Sequence, residues 1–92
     1  MKGTEKQVAW ASELQQKAIT AFEWARLNPP PDGQSDPARS YGIDLMVNRI
    51  QSAGYAGDVI DTFRDIDFSA SSGSVFVQLV SAMNSKKPHC NF

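Results

Sequence analysis

The stretch that decides the fold opens Thr4-Glu5-Lys6-Gln7-Val8-Ala9-Trp10-Ala11-Ser12-Glu13-Leu14 and meets no glycine or proline until Pro29. Thr4 followed by Gln7 has capping-box spacing. The hydroxyl can accept the third helical N–H while the amide reaches back to the Thr4 backbone. A helix over about residues 4–27 is therefore expected. At about 100° per residue, it places Val8, Trp10, Ala11, Leu14, Ala18, Ile19, Ala21, Phe22 and Ala25 on one broad apolar arc. Glu5, Lys6, Ser12, Glu13, Gln16, Lys17, Thr20 and Glu23 fall opposite. The alanines in that arc predict that another helix approaches closely there.

Outward from this helix, Asn28-Pro29-Pro30-Pro31-Asp32-Gly33-Gln34-Ser35-Asp36 reads as a stiff loop, because proline removes N–H donors and forces an extended path. Asp36-Pro37 has the pattern of an N-cap followed by proline at the first helical position. Ile43, Met46, Val47, Ile50 and Ala53 then recur at helical spacing, so a second helix is expected from about 37 or 41 to 53, stopped by Gly54. Gly57-Asp58 opens a third helix near 57–66, with Val59, Ile60, Phe63 and Ile66 inward. Val75-Phe76-Val77 has the composition of a strand, but Phe76, Leu79, Val80 and Met83 fit the helical template. A lone strand would also lack a partner, which predicts a fourth helix at about 71–85. The reading is all-α: residues 1–85 form one domain of about four helices, the long N-terminal one packed against three shorter ones. Residues 86–92 are expected to form a polar, mobile tail.

Composition narrows the function classes. Ninety-two residues leave room for one small core. Nine Lys plus Arg against ten Asp plus Glu exclude a globally basic nucleic-acid binder and a globally acidic DNA mimic. A single cysteine excludes an internal disulfide framework. The longest apolar run breaks at Gln78, far short of the roughly 18–20 residues that span a bilayer. Met1-Lys2-Gly3-Thr4 lacks the apolar core of a secretory signal, so a cytoplasmic location is expected.

No constellation for catalysis emerges. His89 and Cys90, the sole histidine and cysteine, are neighbours in the tail and cannot easily face each other, and a closed zinc site needs two further ligands. The glycines are isolated, and no carboxylate pair sits in an apolar context. No catalytic, cofactor or metal site is expected, and the protein is read as a non-enzyme.

Binding residues stand out more clearly. Trp24 lies among Glu13, Lys17 and Thr20, away from the apolar arc, while Trp10 sits at the arc's edge and reads as core. Trp24 is either an interface anchor or is covered by Pro29–Pro31. Asp58, Asp61 and Asp65 share one side of the expected third helix. Residues 58–68 sum to −3 while residues 1–57 sum to zero, so this stripe is either a patch for a basic partner or a solvated face. Expected partner contacts are thus Trp24, Lys17, Glu13, Asp58, Asp61 and Asp65. An alternative is a small nucleic-acid-binding or regulatory protein using Asn48, Arg49 and Gln51 with Lys86-Lys87. A third is a homo-oligomer that packs Ala11, Ala18 and Ala25 against a second chain.

Thr4-Glu5-Lys6-Gln7, with Trp10-Ala11 and Leu14, resembles the opening of a group of small uncharacterised helical proteins from phages and other bacterial mobile elements. Those proteins begin Ser/Thr-Glu-Lys-Gln, carry Trp-Ala after two further residues, and have Ile where this chain has Leu14. The likeness covers about a tenth of the chain. It implies a bacterial or phage setting and no assigned activity. Apart from the resemblance, a chain of this size without catalytic groups is expected to be a non-enzymatic binding protein that occludes a surface of a host or phage protein, comparable by class only to anti-defence inhibitors such as anti-CRISPRs.

Overall fold

The computed structural model describes residues 1–28, 37–85 and 92, the side chains of residues 37 and 38 excepted. Four helices follow in order: α1 (Glu5–Leu27), α2 (Pro37–Gln51), α3 (Ala56–Phe63) and α4 (Ser72–Asn84). No strand occurs among the described residues. The expected capping box starts α1: Gln7 N–H donates to Thr4 Oγ1 at 3.2 Å, and Thr4 N–H to Gln7 Oε1 at 3.0 Å. Asn28 closes its other end, its amide donating to the Trp24 carbonyl at 2.8 Å.

The shorter helices all pack on α1, which forms the centre of the domain. Its alanines explain how: Ala11, Ala18 and Ala25 are fully buried, so neighbouring backbones approach closely. Phe22 fills the middle, also fully buried, and meets Phe76 edge-on with centroids 5.5 Å apart. Phe63, Ile50, Leu79 and Val59 complete the core. Burying a side chain of this size contributes roughly 1.5–3 kcal/mol. Because these alanines are covered by the chain's own helices, the oligomer expected to pack through them has no free surface there.

Trp10 departs from its expected core role and is 47% exposed. It precedes Lys17 by seven residues, about two turns, and so shares the exposed flank of α1 with that lysine. The Val75-Phe76-Val77 ambiguity resolves as helix. Val75 is buried and Val77 is 64% exposed, whereas a strand would point both to one face. The inward row is Val75, Leu79 and Met83, with Phe76 and Val80 half-buried beside it.

α3 is shorter than expected. The Phe63 carbonyl accepts from Ile66 N–H at 3.1 Å, while Asp67 N–H turns to Gln78 Oε1 on α4 at 3.0 Å, so the helical ladder stops. Two links between distant segments carry no sequence signature. Lys2 pairs with the α2–α3 turn, its N–H donating to Gly54 O and its carbonyl accepting from Ala56 N–H, both at 2.8 Å. Gln15 Nε2 donates to Ile50 O at 2.7 Å, tying the end of α2 to α1. No helix among the described residues is long and apolar enough to cross a membrane.

Candidate functional site

The second half of α1 and the chain entering α4 enclose a groove of about 530 Å³. Gln16, Lys17, Thr20 and Trp24 form its α1 wall, and Phe68, Ser69, Ala70 and Ser72 the other. Ala21 and Val75, both buried, make an apolar floor.

The second wall is fixed by local chemistry. The Asp67 carboxylate accepts from both the hydroxyl and the N–H of Ser69, a side-chain turn that presents Phe68 between them. These two bonds, the hydroxyl's first, hold the Asp67 carboxyl below the usual carboxylate range. Ser71 caps α4 by accepting from Ser74 N–H at 3.3 Å. On the α1 wall, Lys17 Nζ stands 5.7 Å from the centre of the Phe68 ring and 3.3 Å from Glu13 Oε1. That ammonium bridges the two walls and keeps one carboxylate at the rim. The Thr20 hydroxyl donates to the Gln16 carbonyl at 2.8 Å.

Trp24 closes the far end. Its indole lies over the first turn of α4, where a Cβ built on Gly73 would stand 3.7 Å from the ring. It remains 37% exposed. The result is a wide aromatic surface over an apolar floor, rimmed by hydroxyls, an amide and an ammonium. An apolar centre inside a polar rim is the anatomy of a protein-contact patch. Whether Pro29–Pro31 reach over the indole lies outside the described residues.

The structure therefore brings together Trp24, Lys17 and Glu13. It does not bring them to Asp58, Asp61 and Asp65, nor gather those three into one helical stripe. Asp58, half-buried, lies in the first turn of α3 and lines a groove beside Arg49 and Tyr55. Asp61 is exposed further along α3. Asp65 follows the C-cap Arg64, outside the helix, and borders a different groove with Val77 and Gln78. No group of three or more histidine, cysteine or acidic residues among the described residues is arranged to hold a metal ion.

Of the nucleic-acid alternative, Arg49 donates through Nε and Nη2 to the Phe92 backbone oxygen, so its guanidinium is turned toward the chain itself. Lys86-Lys87, like His89 and Cys90, lie outside the described residues. The expected mobile tail lies there too, except for Phe92, which packs on the core. Sequence reading passed over Phe68, whose one signal was the Asp67-x-Ser69 spacing that builds its turn. No family model matches the chain, and comparisons with curated proteins and with solved structures return no match.

Proposed function

We propose that this domain is a non-enzymatic binding module, encoded by a phage or mobile element and located in the bacterial cytoplasm, that acts by occluding a surface of a host or phage protein. Its contact patch is the α1–α4 groove, with Trp24 as anchor, Lys17 and Phe68 beside it and Glu13 at the rim. The observation that carries this reading is the exposed Trp24 indole standing at a groove whose opposite wall is pre-set by the Asp67–Ser69 turn. A pre-set wall lowers the ordering cost of association, and tryptophan is among the residues on which contact energy concentrates. The N-terminal likeness to proteins of phages and mobile elements supports the setting. Small anti-defence inhibitors supply the comparison by class, since they too act by covering a surface without chemistry.

The test is capture from bacterial lysate with tagged wild type and Trp24→Ala side by side, each with and without nuclease. A protein that survives nuclease and is lost with Trp24→Ala is the expected result. Truncating an anchor of this kind costs about 2 kcal/mol or more, roughly a 30-fold loss of affinity. A catch that disappears with nuclease, or that Trp24→Ala retains in full, refutes the reading.

A further inference from the structure

One flank of α1 carries Lys6, Trp10, Glu13, Lys17, Thr20 and Trp24, all of them exposed. At about 100° and 1.5 Å per residue they fall within about 80° of one another, on a strip about 27 Å long. Its two tryptophans are 47% and 37% exposed, an apolar surface of the kind that marks a contact site. The order of the charges decides what covers it. Reversed in direction and laid against itself, with a two-fold axis at the level of residue 15, the strip is its own complement. Glu13 then meets the second copy's Lys17, and Lys17 the second copy's Glu13. Lys6 comes under the second copy's Trp24 ring, a cation–aromatic contact. Trp10 comes over the methyl of the second copy's Thr20, whose hydroxyl is taken up by the Gln16 carbonyl at 2.8 Å. The intrachain pair between Lys17 and Glu13, 3.3 Å apart on side chains 49% and 64% exposed, stays in place. Four charges then alternate in sign around a square, and each carboxylate gains a second ammonium. Centred on residue 17 instead, the strip would set Lys17 against its own copy, so the charges also select the register.

We propose that this flank of α1 is a homodimer interface, on which a second copy of the chain packs antiparallel about the level of residue 15 through reciprocal Glu13–Lys17 contacts. One helix flank is a small interface, so the dimer is weak and forms at high protein concentration. It covers Lys17 and Trp24, which the reading above assigns to the partner contact. Self-association and capture of the partner therefore exclude each other, and only this last consequence rests on that reading.

Sedimentation equilibrium of the purified chain, from about 10 µM to about 1 mM, reads the dimer directly. Wild type is expected to move toward twice the chain mass across this range, and less so as salt is raised. Glu13→Lys alone and Lys17→Glu alone each set like charges together and should weaken the dimer by at least about tenfold. Mixed in equal amounts, these two variants regain opposite charges at both contacts and should form a mixed dimer at least as tight as that of wild type. Both positions are exposed, and circular dichroism checks that each variant keeps its helix content. A wild type that stays monomeric at about 1 mM overturns the proposal. The capture experiment still decides the partner contact separately in that case. A dimer that neither variant weakens, or that the mixture fails to recover, overturns the proposal as well.

Discussion

Replacing Gly3 by alanine tests the link that the structure places between the N-terminal residues and the α2–α3 turn. Gly3 has φ of +154°, a backbone region that L side chains rarely adopt. A Cβ there would stand 2.9 Å from Ala56 Cβ and 3.2 Å from Gln7 Oε1. Gln7 can swing away, but Ala56 is fully buried in the core and cannot. Two responses are open to the variant. Holding the native path costs about 1–3 kcal/mol in backbone strain before the carbon–carbon contact is counted. Releasing residues 1–3 forfeits the two Lys2 backbone bonds, about 0.5–1.5 kcal/mol each. The cheaper route sets the loss at about 2 kcal/mol, against a total of about 5–14 kcal/mol for a chain of this length. Melting followed by circular dichroism should fall by about 8–16 °C, and the Ala56 amide should exchange faster with solvent. Gly42→Ala and Gly57→Ala supply the opposite sign. Both glycines lie within helices with nothing within 4 Å of the added carbon. Each should stabilise the fold by about 0.5–1 kcal/mol. An unchanged or raised melting point for Gly3→Ala would refute the reasoning.

Val75→Thr places a hydroxyl in the core and should cost about 1–3 kcal/mol, while Val77→Thr stays within about 0.5 kcal/mol; equal costs in urea denaturation would contradict the helical register of α4. Thr4→Ala removes the hydroxyl half of the α1 capping box and should cost about 1 kcal/mol in the same assay. Asp67 titrates below its ordinary value in the folded state, so its contribution is full above about pH 4 and is lost as pH falls through the lower folded value. Asp67→Asn should therefore flatten the acid limb of stability measured from pH 7 to 2, and parallel wild-type and variant curves would contradict the Ser69 contacts as its cause.

Much of the architecture is written in local spacing. The Thr4–Gln7 pair marks the start of α1, and the recurrence of Ile43, Val47 and Ile50 marks the buried face of α2, which ends at Gln51, before Ala53. Both are legible because capping and helical periodicity depend on residues within one or two turns. Trp10 was misread because a wheel gives an angle but not how far the neighbouring helices extend around it. The end of α3 depends on Gln78, eleven residues beyond Asp67, accepting a backbone N–H. No pattern within the third helix itself announces that competition. The same holds for the site. Trp24 and Lys17 are one face of one helix and could be paired by sequence spacing alone. Phe68 reaches Lys17 only through the packing of α1 against the chain leading into α4. Asp58 and Asp65 separate because the helix assumed to carry both ends at Phe63.

The central claim, that the α1–α4 groove is the contact patch, is tested most directly by placing a photoreactive benzophenone amino acid at Lys17, Ser69 or Asp61 and irradiating each protein with its captured partner. The first two positions line the groove, and Asp61 lies on α3, outside the groove's lining. Cross-links from positions 17 and 69 and none from 61 are the predicted result. Cross-links from position 61 alone, or from none of the three, would contradict the account.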